Sequence, residues 1–184
     1  GAVEILKEAK DKDNDAKKKM FEILEDETKR ISQMTSDFMN LEKSANLKTE
    51  RVNVLRFLKE SKLTIQNPMG IEIKMDVSDD VNIKVDKEKI KQIFSNFLLN
   101  SFEAGAKKVN IKSYKNNDKV VFEIKDDGQG VADEIKDNIF KPFFSTKSYG
   151  TGLGLSISKR FVELHSGKIY LKDKNTVVVE LPYG

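Results

Sequence analysis

The chain of 184 residues has no cysteine, no tryptophan and a single histidine. Without cysteine there is no disulfide framework, and one histidine cannot complete the usual zinc ligand sets. A cysteine-free chain fits a reducing compartment. No apolar run approaches the ~20 residues that a membrane-spanning helix needs, and the opening residues do not read as a signal peptide. Membrane attachment is therefore expected only through regions outside this chain, and the expected location is cytoplasmic. The formal charge of +3 is small for this length, and no basic stripe is interleaved with aromatics, which argues against a nucleic-acid partner. What is abundant is charge of both signs, at 34% against 38% hydrophobic residues, a soluble composition rich in Lys and Glu that also suits a thermophile. The length admits one well-packed domain with an appendage, or two small domains.

Residues 1–10 read as the last turns of a helix, with Val3, Ile5 and Leu6 apolar, as though cut from a longer protein. Residues 11–19 are polar and suit a turn or helix cap. From residue 20 to 45, Met20, Leu24, Ile31, Met34, Phe38, Leu41 and Ala45 fall on a heptad-like seam that only Glu27 interrupts. One narrow stripe on a densely charged helix fits a helical hairpin or coiled-coil dimer; the alternative is a helix packed on its own domain.

Residues 46–53 read as a linker, residues 54–63 as a helix, and Asn67-Pro68-Met69-Gly70 as a turn. Ile71, Ile73, Met75 and Val77 alternate with polar residues, as do Val81, Ile83 and Val85, so both runs predict half-buried strands. Asp86 is a good N-cap for a helix whose inner face carries Ile90, Ile93, Phe94, Phe97 and Leu98. Val109 and Ile111 begin a strand that turns at Asn116-Asn117-Asp118 into a strand over residues 120–124. A helix of about a dozen residues ends at Leu164, and two strands close the chain as a hairpin. Helices and strands mix without regular βαβ alternation, which predicts an α+β fold: a two-layer sandwich of helices on a mostly antiparallel sheet.

Three stretches carry chemistry. Gly150-Thr151-Gly152-Leu153-Gly154-Leu155 is a glycine-rich loop running into a helix, where backbone N–H groups can approach an anion. Asn96 and Asn100 stand four residues apart on one helix face, and their amide oxygens suit a hard cation such as Mg²⁺. The residues between them, Phe97, Leu98 and Leu99, are assigned to the packed side. Asp126, ahead of Gly128 and Gly130, closes a strand and can accept from an exocyclic amine while the glycines let a flat ring lie on the backbone. An ordinary Asp-Gly turn is the competing reading. Between these stretches lies Phe140-Lys141-Pro142-Phe143-Phe144-Ser145-Thr146-Lys147, with Phe143 and Phe144 assigned to packing and Lys147 to a terminal phosphate or to solvent.

Asn96–Ala104 resembles the N box, Asp126–Gly130 the G1 box, Phe140–Lys147 the F box and Gly150–Leu155 the G2 box of the sensor histidine kinases, in the ATPase superfamily shared with gyrase B, Hsp90 and MutL. The resemblance covers roughly residues 52–184 and implies a Bergerat-type ATP-binding fold. It implies Mg²⁺ held by Asn100 with Asn96 assisting beside the phosphates, and Asp126 on the adenine amine with Gly128 and Gly130 bordering the ring. Thr151, Gly152, Leu153, Gly154, Leu155 and Lys147 are assigned to the nucleotide, with Gly152 and Gly154 presenting N–H groups to the phosphates. The F box and residues 148–150 would form a short lid. Residues 20–45 resemble the second helix of a kinase dimerisation domain and residues 1–10 the end of the first. This divides the chain into a partial dimerisation domain (1–46) and a catalytic ATP-binding domain (47–184).

Three departures matter. The phospho-accepting histidine is missing, and His165 sits at a helix C-terminus, where a cation would suit the dipole. Glu103 stands in the N box where many members carry a lysine, leaving Lys107 or Lys108 as substitutes. Asn96 stands where hydrolysing relatives carry a glutamate base, and an amide cannot deprotonate water. The implied function is ATP-dependent phosphoryl transfer to a histidine outside this chain, then relay to a response-regulator receiver domain, with the parent protein a homodimer. A non-catalytic ATP-binding regulatory or partner-binding module is the alternative, and an ATP-hydrolysing clamp is disfavoured by Asn96.

Overall fold

The computed structural model describes residues 14–43, 46–64, 70–147 and 150–183. The chain divides into two compact units, residues 1–40 and 41–184.

Helix α1 (Asn14–Lys43) accounts for all that is described of the first unit. It begins earlier than the polar composition of residues 11–19 predicts. Ala16 and three consecutive lysines are good helix formers, so that stretch from Asn14 is helical rather than a turn. Along it Phe21, Ile23, Leu24, Ile31 and Met39 are exposed, Ile31 at 62%. The helix expected over residues 1–10 lies outside the described residues.

The second unit follows the two-layer expectation. Five strands form one sheet in the order β2-β4-β5-β7-β6. They are β2 (Glu72–Val77), β4 (Lys108–Asn116), β5 (Lys119–Asp126), β6 (Lys168–Asp173) and β7 (Thr176–Pro182). Only β2, paired with β4, is parallel; the other pairs are antiparallel. Helices α2 (Val54–Thr64), α3 (Lys87–Glu103) and α4 (Gly154–Leu164) pack on one face. The core joins Phe57 of α2, Phe94 and Phe97 of α3 and Phe161 of α4 to Val109, Ile111, Phe122, Ile124 and Val179 of the sheet. Phe94 meets Phe122 edge-on at 5.6 Å. Phe161 is fully buried, and its truncation to Ala would cost about 3–5 kcal/mol.

The stretch expected to be a linker is a linker only to residue 49. Glu50–Asn53 forms β1, antiparallel to β3 (Asn82–Val85) in a separate two-stranded sheet. Four residues with one buried side chain, Val52, leave no alternation for a pattern to register. The predicted turn at Asn67–Met69 lies outside the described residues. Asp86 caps α3 as expected, accepting from Lys89 N–H at 3.2 Å, and also accepts from Lys48 N–H at 2.9 Å. The β4–β5 hairpin turns at Asn117, whose φ is +55°. Among the described residues no helix is long and apolar enough to cross a membrane.

Candidate functional site

The last two turns of α3 organise the site. Asn96 donates from Nδ2 to Gly154 C=O at 2.8 Å and to Ser158 Oγ at 3.1 Å, fixing α3 against the first turn of α4. One turn on, the Asn100 amide is half-buried and makes no hydrogen bond among the described residues. The next residue, Ser101, is buried and donates from Oγ to Asp126 Oδ2 at 3.1 Å. Two residues further, Glu103 ion-pairs with Lys147. A single helix end thus touches each of the other three stretches singled out above.

Asp126 terminates β5 with its carboxylate oriented by three donors. Besides Ser101, Gly128 N–H donates to Oδ1 at 2.8 Å and Asn175 Nδ2 at 3.2 Å. Asn175, in the β6–β7 turn, also donates to Gly128 C=O at 2.9 Å, and its own carbonyl accepts from Asp126 N–H at 3.1 Å. A carboxylate offers about four acceptor sites, so roughly one remains after these three bonds. Gly128 is needed by proximity, since a Cβ there would stand 2.9 Å from Ala104 C=O. Gly130 packs on the Lys174 carbonyl and Asn175. The neighbouring Asp127 points elsewhere: it accepts the N–H groups of Lys107 and Lys108, each at 2.8 Å. Those bonds, Lys108's first, hold its carboxyl below the usual range.

The glycine loop leads into α4 without a side-chain cap. Leu153 occupies the cap position with its side chain buried, and its N–H is met only by Thr151 Oγ1 at 3.3 Å. The remaining first-turn N–H groups form a ready anion site. Leu155 packs partly on the core, so what it and Leu153 can present to a ligand is backbone. Gly152 has φ +67°, and a Cβ would lie 2.5 Å from the Phe143 carbonyl carbon, so this glycine serves contact with the F-box segment.

Four expectations need correction. Leu99 is not on the packed side but 43% exposed, because Ser95, Leu99, Phe102 and Glu103 share the helix's exposed face. Phe143 is 69% exposed and holds φ +64°, so it is no core residue; Phe144 is half-buried. His165 is not a cation awaiting the helix dipole. It is buried, its Nδ1 faces Phe161 C=O at 2.7 Å, and its Nε2 accepts from Asp86 N–H at 3.0 Å, which requires the neutral Nδ1–H ring. Lys108 does not stand in at the site: its ammonium lies 3.8 Å from Glu72 on β2. Sequence reading missed Ser101, Ser158 and Asn175. Only the first carried a signal, its place beside Asn100.

Helices on one face of this sheet, an uncapped helix behind a glycine loop and an oriented carboxylate at a strand end define an ATP-binding domain of the two-layer kind. The chain belongs to the histidine kinase-, DNA gyrase B-, and HSP90-like ATPase family, whose model matches residues 85–184. It is 31% identical over 173 residues to sporulation kinase D of Bacillus subtilis (strain 168), covering 88% of this chain and 34% of that protein. The chain therefore spans about a third of that relative's length. The catalytic domain of histidine kinase ThkA, nucleotide-free, superposes with TM-score 0.65 at 29% identity, covering 74% of this chain and 96% of the other. The complex of ThkA with the response regulator protein TrrA gives 0.79 at 25% identity, covering 99% of this chain and 55% of that chain.

Proposed function

We propose that the chain is the ATP-binding catalytic portion of a sensor histidine kinase, with residues 1–46 part of its dimerisation domain and residues 47–184 the catalytic domain. One observation carries the reading. The same end of α3 ties the Asp126 carboxylate, through Ser101, and the uncapped start of α4, through Asn96, with Asn100 presented between them. In this reading Asp126 accepts from the adenine amine with its remaining acceptor site, and Gly128 and Gly130 border the ring. The backbone of Thr151 to Leu155 receives the phosphates.

Magnesium fits the donors present. Among the described residues no three His, Cys, Asp or Glu side chains form a cage, and Asn100 supplies a neutral oxygen not spent on another bond. That is the chemistry of Mg²⁺, which takes few protein ligands and keeps waters and phosphate oxygens. When bound, the ion neutralises charge on the transferring phosphoryl group. Asn96 orients the loop through Gly154 and, being an amide, activates no water, so the γ-phosphoryl group is conserved for a histidine on another segment. In this reading Lys147, paired with Glu103 here, exchanges that partner for the terminal phosphate.

The receiver domain of a response regulator is the proposed onward acceptor, supported by the likeness to the ThkA–TrrA complex. The apolar residues exposed on α1 support a homodimer of the parent protein. The test supplies this chain with radiolabelled ATP, Mg²⁺ and a separate dimerisation domain of a family member bearing the acceptor histidine. Acid-labile label on that histidine is the expected result. Tight nucleotide binding with no transfer contradicts the reading.

A further inference from the structure

A second concavity lies apart from the residues just assigned to nucleotide. A groove of about 560 Å³ is lined by residues 169–174, by residues of the 131–141 segment and by Lys159 of α4. None of Asn96, Asn100, Asp126, Lys147 or the glycine loop lines it.

Two features of this groove point to a ligand. The first is backbone. β6 is the terminal strand of the sheet, paired only with β7, and every residue from Ile169 to Lys174 lines the groove. Among the described residues, the one backbone hydrogen bond from outside the sheet to this stretch is Val131 N–H to Lys174 C=O, at 2.7 Å. Lys174 lies in the β6–β7 turn, so among the described residues no backbone hydrogen bond from outside the sheet reaches β6 itself. Six residues of strand expose about 20 Å of unpaired edge. The floor is partly apolar, with Ile169, Leu171 and Phe140.

The second feature is charge. Five lysines line the groove against three aspartates. Lys141 and Lys174 make no ion pair among the described residues, and Lys136 is met only by Asp133 at 3.6 Å, whose side chain is 93% exposed. Lys172 is taken by Glu123 and Lys159 reaches Glu163 only at 4.0 Å. Of the acids, Asp173 is spent on the turn, accepting Asn175 N–H at 2.9 Å. The opposite sheet edge differs: β2 carries Glu72, Lys74 and Asp76 in alternation, and Glu72 is met by both Lys74 and Lys108. Edge lysines repel a basic strand, and the same lysines attract an acidic one.

We propose that this groove docks an acidic extended peptide segment, which adds as a further strand to the free edge of β6. Its backbone would pair with the strand while alternate carboxylates meet Lys136, Lys141 and Lys174 and alternate apolar side chains meet the floor. The proposal is independent of the nucleotide reading.

The test uses the full chain and a fluorescein-labelled, end-capped peptide of alternating glutamate and valine, followed by anisotropy and by amide shifts in ¹⁵N-labelled protein. Saturable binding is expected, with the largest shifts at residues 168–174, and the double variant Lys136→Glu/Lys174→Glu should weaken it by about tenfold or more. Circular dichroism checks the fold of that variant. Should it not fold, a peptide N-methylated at alternate residues decides on the unaltered chain, since methylation blocks strand pairing and keeps the charge. Equal binding of the N-methylated peptide, equal binding of a lysine–valine peptide, or no shift along β6 would overturn the proposal.

Discussion

At one end of the site the Asp126 carboxylate is gripped by donors from α3, from its own loop and from the β6–β7 turn. At the other, the Asn100 amide makes no hydrogen bond among the described residues, and α4 starts without a side-chain cap. The contrast separates two kinds of recognition. A carboxylate fixed before the ligand arrives costs nothing to orient and selects by geometry, so a mismatched base leaves it unpaired. An open amide and free helix N–H groups are completed by the ligand itself, whose charge supplies the binding. In the proposed reading the fixed end sets which nucleotide enters, and the open end sets how strongly its phosphates and metal are held.

Breaking the fixed end should have the largest effect. Asp126→Ala removes the acceptor of three donors at once. Nucleotide affinity should fall by about 100-fold or more in titration calorimetry. Stability should drop by about 1–3 kcal/mol in urea, because those donors are left unsatisfied. Breaking the open end should act differently. Asn100→Ala should leave stability within about 0.5 kcal/mol and lower ATP affinity about tenfold in Mg²⁺. In EDTA the variant and the parent should bind alike; an equal loss with and without the ion would place Asn100 elsewhere.

Asn175→Ala sharpens the comparison, since the side chain touches no ligand in this account. Its amide spans Asp126 Oδ1 and Gly128 C=O. Loss of about 1 kcal/mol of positioning should weaken ATP about fivefold, equally in Mg²⁺ and in EDTA. An effect seen only with the metal would contradict the division.

How far the sequence reaches follows the same line. The Asp86 cap, the buried face of α3, the β4–β5 and β6–β7 hairpins and the glycine loop into α4 are all set by neighbours within a few residues. Periodicity and turn chemistry report such neighbours. The clamp on Asp126 is built from Ser101 and Asn175, 25 and 49 residues away, and nothing local marks either as its partner. β1 escaped because it is held by pairing with β3 rather than by its own pattern. Phe143 misled because aromatic character is a prior for burial, and here the left-handed backbone turns it outward.

The smallest expected effect lies on the sheet's open face, away from both ends. Glu123 is held below the usual carboxylate range chiefly by Lys172 Nζ at 2.9 Å, and Glu180 chiefly by Lys119 Nζ at 2.9 Å. Since both native pKa values are depressed, the unfolded chain binds more protons as the solution is acidified. Their stabilisation is present above about pH 4.5 and is lost as pH falls through the lower native values. Because both lysines are exposed, the contribution of each pair is small and screened by solvent. The melting temperature of Glu123→Gln should fall slightly below the parent's at pH 6, and the gap should narrow as the solution is acidified. A gap that widens on acidification would reverse the sign.

The most direct test of the division between the two ends is base discrimination. Inosine triphosphate keeps the triphosphate of ATP and replaces the exocyclic amine by an oxygen. The unaltered chain should bind ATP about 100-fold more tightly than inosine triphosphate, and Asp126→Ala should reduce that ratio to near one while keeping its Mg²⁺ dependence. A ratio unchanged by the substitution would contradict the account.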